Sequence, residues 1–208
     1  MASRRGENNG AEAQGGEVVE ALARALELHD YRRGLFAETE SHAVRVTRLA
    51  LQLAERVAPE LAADPALEYG FRLHDIGMIG VSTDILTKRG KLTRNELDEV
   101  REHPLLGERI VAPVHCLNGI ARQVIGAHHE RWDGSGYPRR LEGERIPLPA
   151  RIFTLADVFD AMTSEQPWRH ALDPETALDE IERSSGKLFD PELVNVFLEL
   201  VEPAALLA

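Results

Sequence analysis

From Glu17 onward apolar residues recur every three or four positions, and this helical period governs nearly the whole chain. Val18, Val19, Leu22, Ala25, Leu26 and His29 form a first stripe. Val46, Leu49, Ala50, Leu53 and Val57 form a second, on a helix expected over about 38–57 that stops before Pro59. Asp64-Pro65 reads as an N-cap followed by proline at the first helical position, opening a helix through Leu67 and Phe71 to His74. Thr93 and Glu96 have the spacing of a capping box for a helix reaching about residue 102. Leu117, Ile120, Ala121, Val124 and Ile125 mark a helix ending near His128. Pro149 opens another, with Ile152, Phe153 and Ala156 inward. Asp173-Pro174 and Asp190-Pro191 open two more, with Gly186 as a stop between them. Alternating strand patterns are essentially absent, so the fold class is all-α, a helical bundle.

Length and charge narrow the setting. At 208 residues, 43% of them hydrophobic, the chain can bury one substantial core. Residues 1–16 offer almost nothing to bury and are expected to form a disordered tail, leaving 17–203 as the domain. Lys and Arg number 24 against 35 Asp and Glu, a formal net charge of −11, which argues against nucleic acid or an anionic membrane as partner. Cys116 is the one cysteine, so no internal disulfide can form, as suits a reducing compartment. Arg4-Arg5 is followed by no apolar run, and no stretch approaches the roughly 20 apolar residues of a membrane span. A cytoplasmic location is the expectation.

The residues that interrupt the apolar faces carry the chemistry. His42 lies four before Val46; His74 lies three after Phe71; His128 lies three after Ile125; Asp157 lies four after Phe153, with Asp160 one turn on. One inward histidine is commonly a core residue with a nearby hydrogen-bond partner. An inward carboxylate is costlier, because burying it unpaired costs several kcal/mol or forces it neutral. Several helices pointing such groups at one interior are explained together by metal ions held between facing helices. Imidazole with carboxylate suits Fe, Mn, Zn or Ni, and a lone cysteine excludes a thiolate zinc site. Glu38 and His42, four apart, can share a helical face as ligands, or be a surface glutamate beside a core histidine.

These residues resemble a known family. His74-Asp75, in Leu-His-Asp-Ile-Gly-Met, is similar to the doublet that names the HD superfamily of metal-dependent phosphohydrolases. His128-His129-Glu130 followed by Arg-Trp-Asp-Gly-Ser-Gly-Tyr-Pro138 resembles the signature of its HD-GYP branch. His103-Pro104 with Gly107, and Asp157 to Ala161, stand where that family has its other markers. The resemblance runs from about 18 to 200. It implies a bundle of the HD-domain type with a di- or trinuclear site in its core. The implied ligands are His42, His74, Asp75, His103, His128, His129 and Asp157, with Glu38 marking the subset that holds a third ion. Two or three divalent ions are implied, Fe or Mn first and Zn or Ni as alternatives. The implied activity is hydrolysis of cyclic di-GMP by a hydroxide held between two metals, with Asp75 bridging them and orienting the nucleophile.

Two substrate-side positions depart from the family pattern. Met78 stands where the family has a lysine near the substrate phosphate, and Gln166 where it has a phosphate-facing arginine; Arg169 keeps the second basic position. A methionine donates no hydrogen bond and carries no charge. The substrate contacts are therefore assigned to Met78, Gln166 and Arg169 with an altered clamp. Two other readings stay open: a phosphohydrolase for another cyclic dinucleotide or nucleotide, and a non-catalytic module that binds nucleotide or a partner. The loop Gly134–Pro138, which in this family is associated with diguanylate cyclase domains, is either a partner surface or a solvated turn.

Overall fold

The structure is a computed structural model that describes residues 3–32, 41–165 and 170–205, with side chains described over 15–29, 41–165 and 170–201. It is all-helical: among the described residues the only extended pairing is an isolated bridge between Ser185 and Phe189. The helices are α1 (Ser3–Arg32), α2 (His42–Val57), α3 (Pro59–Ala62), α4 (Pro65–Arg72), α5 (Thr83–Leu86), α6 (Arg94–Arg101), α7 (His103–Val111), α8 (Ile120–Ala127), α9 (Leu148–Thr163), α10 (Pro174–Arg183) and α11 (Pro191–Ala205).

The capping signals act as the sequence suggested. Asp64 accepts from the Ala66 amide, and Asp173 accepts from the Thr176 amide, each ahead of a first-turn proline. Thr93 and Glu96 close a capping box reciprocally: the Thr93 amide donates to the Glu96 carboxylate at 2.7 Å, and the Glu96 amide to the Thr93 hydroxyl at 3.4 Å. Two segments differ from expectation. Helix α1 reaches back to Ser3, through the stretch 1–16 whose composition suggested a tail. No proline interrupts it, and Gly15 lies buried so close to Cys116 that a side chain there would press on the thiol. Helix α7 had no sequence signal of its own. Its first turn contains Pro104, and it follows α6 with only Glu102 between.

Two apolar cores flank the middle of the bundle. One gathers Val46, Ala50 and Leu53 of α2, Leu67 and Phe71 of α4, Ile152 and Phe153 of α9, Ile181 of α10 and Phe197 of α11. The other joins Val19 and Leu26 of α1, Leu73, Ile76, Val111 of α7, Leu117, and Ala121 and Ile125 of α8. Helix α8 serves both, with Val124 turned to the first and Ala121 and Ile125 to the second. Each fully buried Phe, Leu or Ile contributes about 1.5–3 kcal/mol. The buried histidines and carboxylates therefore stand on a frame that does not depend on them. The seam between the two cores is where α4 and α8 end, and it is there that the polar residues collect.

Candidate metal centre

Most of the candidate ligands come from helix ends. His42 is the first residue of α2, His103 the first of α7, and His128 and His129 leave the end of α8. His74 and Asp75 form the turn between α4 and the 3-10 segment Ile76–Gly80, while Asp157 projects from the middle of α9. At a helix end successive residues can face one point, which a regular helix forbids. Gly77 makes the closest of these approaches possible: a Cβ there would overlap the His103 carbonyl oxygen and crowd the Gly107 amide. The turn carrying Asp75 is thereby pressed directly against the start of α7.

Seven of the eight expected ligands fall into two groups, each able to hold a metal ion: Asp75, His103, His128 and His129, and His42, His74 and Asp157. The eighth, Glu38, lies outside the described residues, as do Gln166 and Arg169 of the expected substrate contacts. Asp75 faces both groups. Its Oδ1 lies 3.2 Å from His103 Nε2 and 3.6 Å from His128 Nε2, and its Oδ2 lies 3.4 Å from His74 Nε2. In the second group His42 Nε2 is 3.1 Å from Asp157 Oδ1.

The histidine tautomers follow from what each ring touches on its far side. Nδ1–H of His74 donates to the Phe71 carbonyl at 2.9 Å, and Nδ1–H of His103 to the Val100 carbonyl at 2.8 Å. Nδ1 of His128 lies 3.1 Å from the Ile125 carbonyl and 3.2 Å from that of Val124. A carbonyl can only accept, so each Nδ1 carries a proton, and whenever the ring is neutral Nε2 presents its lone pair inward. His103 Nε2 and His128 Nε2 are then 3.2 Å apart with their side chains fully buried. Two lone pairs at that distance repel unless a cation lies between them or one ring takes a second proton. The donor set thus fits divalent ions, and outer partners of this kind orient ligating imidazoles.

His42 is arranged differently. Its Nδ1–H donates to Asp160 Oδ2 at 2.7 Å, and Asp160 is gripped by Arg45 through Nε at 2.7 Å and Nη2 at 3.0 Å. Arg45 Nη2 also donates to the Ser164 hydroxyl at 3.0 Å. Asp160 was visible in the sequence as an inward carboxylate one turn after Asp157; its grip on His42 was not. Arg45 carried no signal, since one arginine on a helix is ordinarily solvated.

The electrostatics match the geometry. Burial would raise Asp75, but the charge of a protonated His74 and hydrogen bonds donated by the surrounding imidazoles hold it well below the ordinary carboxylate value in the ion-free protein. Burial would also raise Asp157, and His42 pulls it down to about 2. Burial pushes His128 and His129 down, His129 well below the usual imidazole value. His42 goes the other way: burial opposes it, yet the carboxylates of Asp157 and Asp160 raise it to about 10.

The glycine–tyrosine–proline loop closes one side. Gly136 admits no side chain, because a Cβ would overlap the Arg131 amide and the Glu130 backbone. Tyr137 stacks on His129 with ring centroids 4.7 Å apart, and the Arg101 guanidinium lies 5.7 Å from the outer face of the tyrosine. Buried Glu130 anchors the loop by accepting the amides of Arg139 at 2.7 Å and Leu141 at 3.0 Å. The local basic run is partly neutralised, with Arg139 paired to Glu108 and Arg145 to Glu142. Met78 is half-buried three residues beyond Asp75, its amide donating to the Asp75 carbonyl at 2.8 Å.

Among the described residues no helix is long and apolar enough to cross a membrane. The chain is 38% identical over 185 residues to a cyclic di-GMP phosphodiesterase of Thermotoga maritima, covering 88% of this chain and 49% of that one. It is 37% identical over 191 residues to the cyclic di-GMP phosphodiesterase response regulator RpfG of Xanthomonas campestris pv. campestris, covering 91% and 49%. It thus spans about half the length of the curated relatives it matches. Its fold is similar to a crystal structure of a cyclic GMP-AMP specific phosphodiesterase of V. cholerae, with a TM-score of 0.58 and 25% identity over 79% of this chain and 45% of that one. The HD domain profile matches residues 21–193, and that span holds the His-Asp doublet and the His-His-Glu to Gly-Tyr-Pro block in the helical setting just described. The chain belongs to the HD domain family, in its HD-GYP branch.

Proposed function

We propose that the chain is a metal-dependent phosphodiesterase of cyclic dinucleotides, with cyclic di-GMP as substrate. The observation that carries this is Asp75, one carboxylate with an oxygen toward each of two ligand groups, beside a buried pair of Nε2 lone pairs 3.2 Å apart. His42, His74 and Asp157 would hold one divalent ion and His103, His128 and His129 a second, with Asp75 shared; Glu38 would serve a third. Iron or manganese is the first expectation, from the mixture of imidazole and carboxylate. Ions bound there would lower the pKa of a bound water toward neutrality and offset charge on the phosphate oxygens.

The chain's own residues do the rest. Asp75, held ionised by its imidazole neighbours, accepts a hydrogen bond from the attacking water through a carboxylate oxygen and aims it. Nδ1–H bonds to carbonyls keep His74, His103 and His128 from turning away. Tyr137 covers His129 and excludes water from that side. Met78 contributes no charge to the scissile phosphate, so Arg169 and Gln166 are left to complete the clamp.

The test is metal content of anaerobically purified protein, followed by cyclic di-GMP turnover on the same sample. Two or three ions per chain with conversion to the linear dinucleotide support the reading. A metal-free, inert protein that cannot be reconstituted overturns it. Met78 favours a second reading, a different cyclic dinucleotide such as cyclic GMP-AMP, and parallel turnover of the two separates them. Met78→Lys is expected to raise cyclic di-GMP turnover about tenfold, since a hydrogen bond to a charged group is worth about 1.5–3 kcal/mol. The Gly134–Pro138 loop, with Ser135 exposed, is the proposed contact for a diguanylate cyclase domain, checked by co-purification with and without Ser135→Arg.

A further inference from the structure

Among the candidate ligand histidines whose Nδ1 partner is described, three are oriented by backbone carbonyls three or four residues back on their own chain segment. His42 is the exception. It opens α2, its side chain is 41% exposed, and its Nδ1–H is taken by a carboxylate 118 residues away on α9. Among the described residues no backbone carbonyl takes Nδ1–H of this ring, and an imidazole at a helix start has rotamer freedom to lose. The carboxylate that takes Nδ1–H is itself fixed at both oxygens, Oδ1 by Arg45 Nε and Oδ2 by Arg45 Nη2. Arg45 lies on the same helix as His42 and three residues on, so Asp160 ties His42 to its own helix as well as to α9.

We propose that Asp160 and Arg45 are positioning residues that set the affinity of the His42–His74–Asp157 group for its ion, independently of the His103–His128–His129 group. Asp160 keeps a proton on Nδ1, so that Nε2, which lies 3.1 Å from Asp157 Oδ1, is the nitrogen left to face an ion. Its charge also makes the imidazole a stronger donor, as a carboxylate does for a ligating histidine. Arg45 holds that carboxylate in plane and offsets its charge, so that Asp160 supports His42 rather than competing with Asp157 for the ion. The two groups thus differ in how they can be adjusted. Side-chain substitution on α9 reaches one of them, whereas in the other His103 and His128 are oriented by main chain.

This inference rests on the metal-dependent reading above, and the experiment separates the two. Metal-free wild-type chain, Asp160→Ala, Asp160→Asn and Arg45→Ala are titrated with Mn(II) by calorimetry, with thermal melts of each metal-free protein as the check on folding. Wild type is expected to take up at least two ions. In Asp160→Ala one of them weakens by about 10–100-fold and the other stays within about twofold. Asp160→Asn, whose amide oxygen can still accept from Nδ1–H, recovers part of the loss, and Arg45→Ala falls between wild type and Asp160→Ala. Unchanged affinity for both ions in Asp160→Ala overturns the proposal, and so does equal weakening of both, which marks a merely structural role. Wild type that takes up no ion overturns the metal reading itself, and this inference with it.

Discussion

His103 and His128 owe their orientation to the carbonyls of Val100, Val124 and Ile125, whereas His42 owes its own to a carboxylate on a distant helix. The two ligand groups that meet at Asp75 therefore pose opposite problems without an ion. In the first, two buried lone pairs face each other; in the second, an imidazole is paired to two carboxylates. The difference teaches that similar ligand sets can store strain on one side and ion-pair stability on the other.

The largest expected effect comes from breaking the approach that both groups share. Gly77→Ala is expected to destabilise the protein by about 3 kcal/mol, because the added Cβ meets backbone that cannot rotate away. Urea unfolding checks this, and a variant as stable as wild type would mean the turn and α7 can part without cost. Next, His42→Ala in chelator-treated protein is expected to lose about 1–2 kcal/mol, since it leaves Asp157 and Asp160 short of a partner at a partly exposed site. His128→Leu under the same conditions is expected to gain about 1 kcal/mol by removing one of the facing lone pairs. Opposite signs sharpen the comparison; the same sign in both would break it. Both substitutions should abolish turnover.

The smallest effect is a control far from either group. Lys88 lies 2.7 Å from the Glu96 carboxylate and, with the Thr93 amide, lowers its pKa from 4.5 to about 2. A carboxyl whose folded pKa is depressed stabilises the fold fully above its unfolded value and loses that contribution as pH falls from about 4.5 toward 2. Glu96→Gln is therefore expected to flatten the urea midpoint between pH 6 and pH 3, leaving ion binding at neutral pH unchanged.

What could be read from the sequence divides along the same line. Helical stripes and the caps at Asp64, Thr93 and Asp173 were legible because they are local, and the inward histidines because they broke an apolar period. The candidate ligand set as a whole could be named only through family resemblance. Backbone partners of His74, His103 and His128 leave no mark in residue identity, since any residue has a carbonyl. Helix α7 was hidden because a proline directly after His103 reads as readily as a turn as a helix start. The extent of α1 was hidden because residues 1–16 offer almost nothing to bury, and the close approach of Gly15 to Cys116 leaves no mark in the sequence. Arg45 looked like surface charge, and only the position of α9 makes it part of the site.

The candidate ligands run from His42 to Asp157, so they are assembled only when four separate helix ends and the middle of α9 have met. An unfolded chain offers no such constellation, and an ion that binds it withdraws its binding free energy from unfolding. At a free concentration of 1,000 times the dissociation constant this linkage amounts to about 4 kcal/mol per site. With ions filling these groups, the heat tolerance of the protein would become a reading of ion supply, and a chelator would act on it as a mild denaturant.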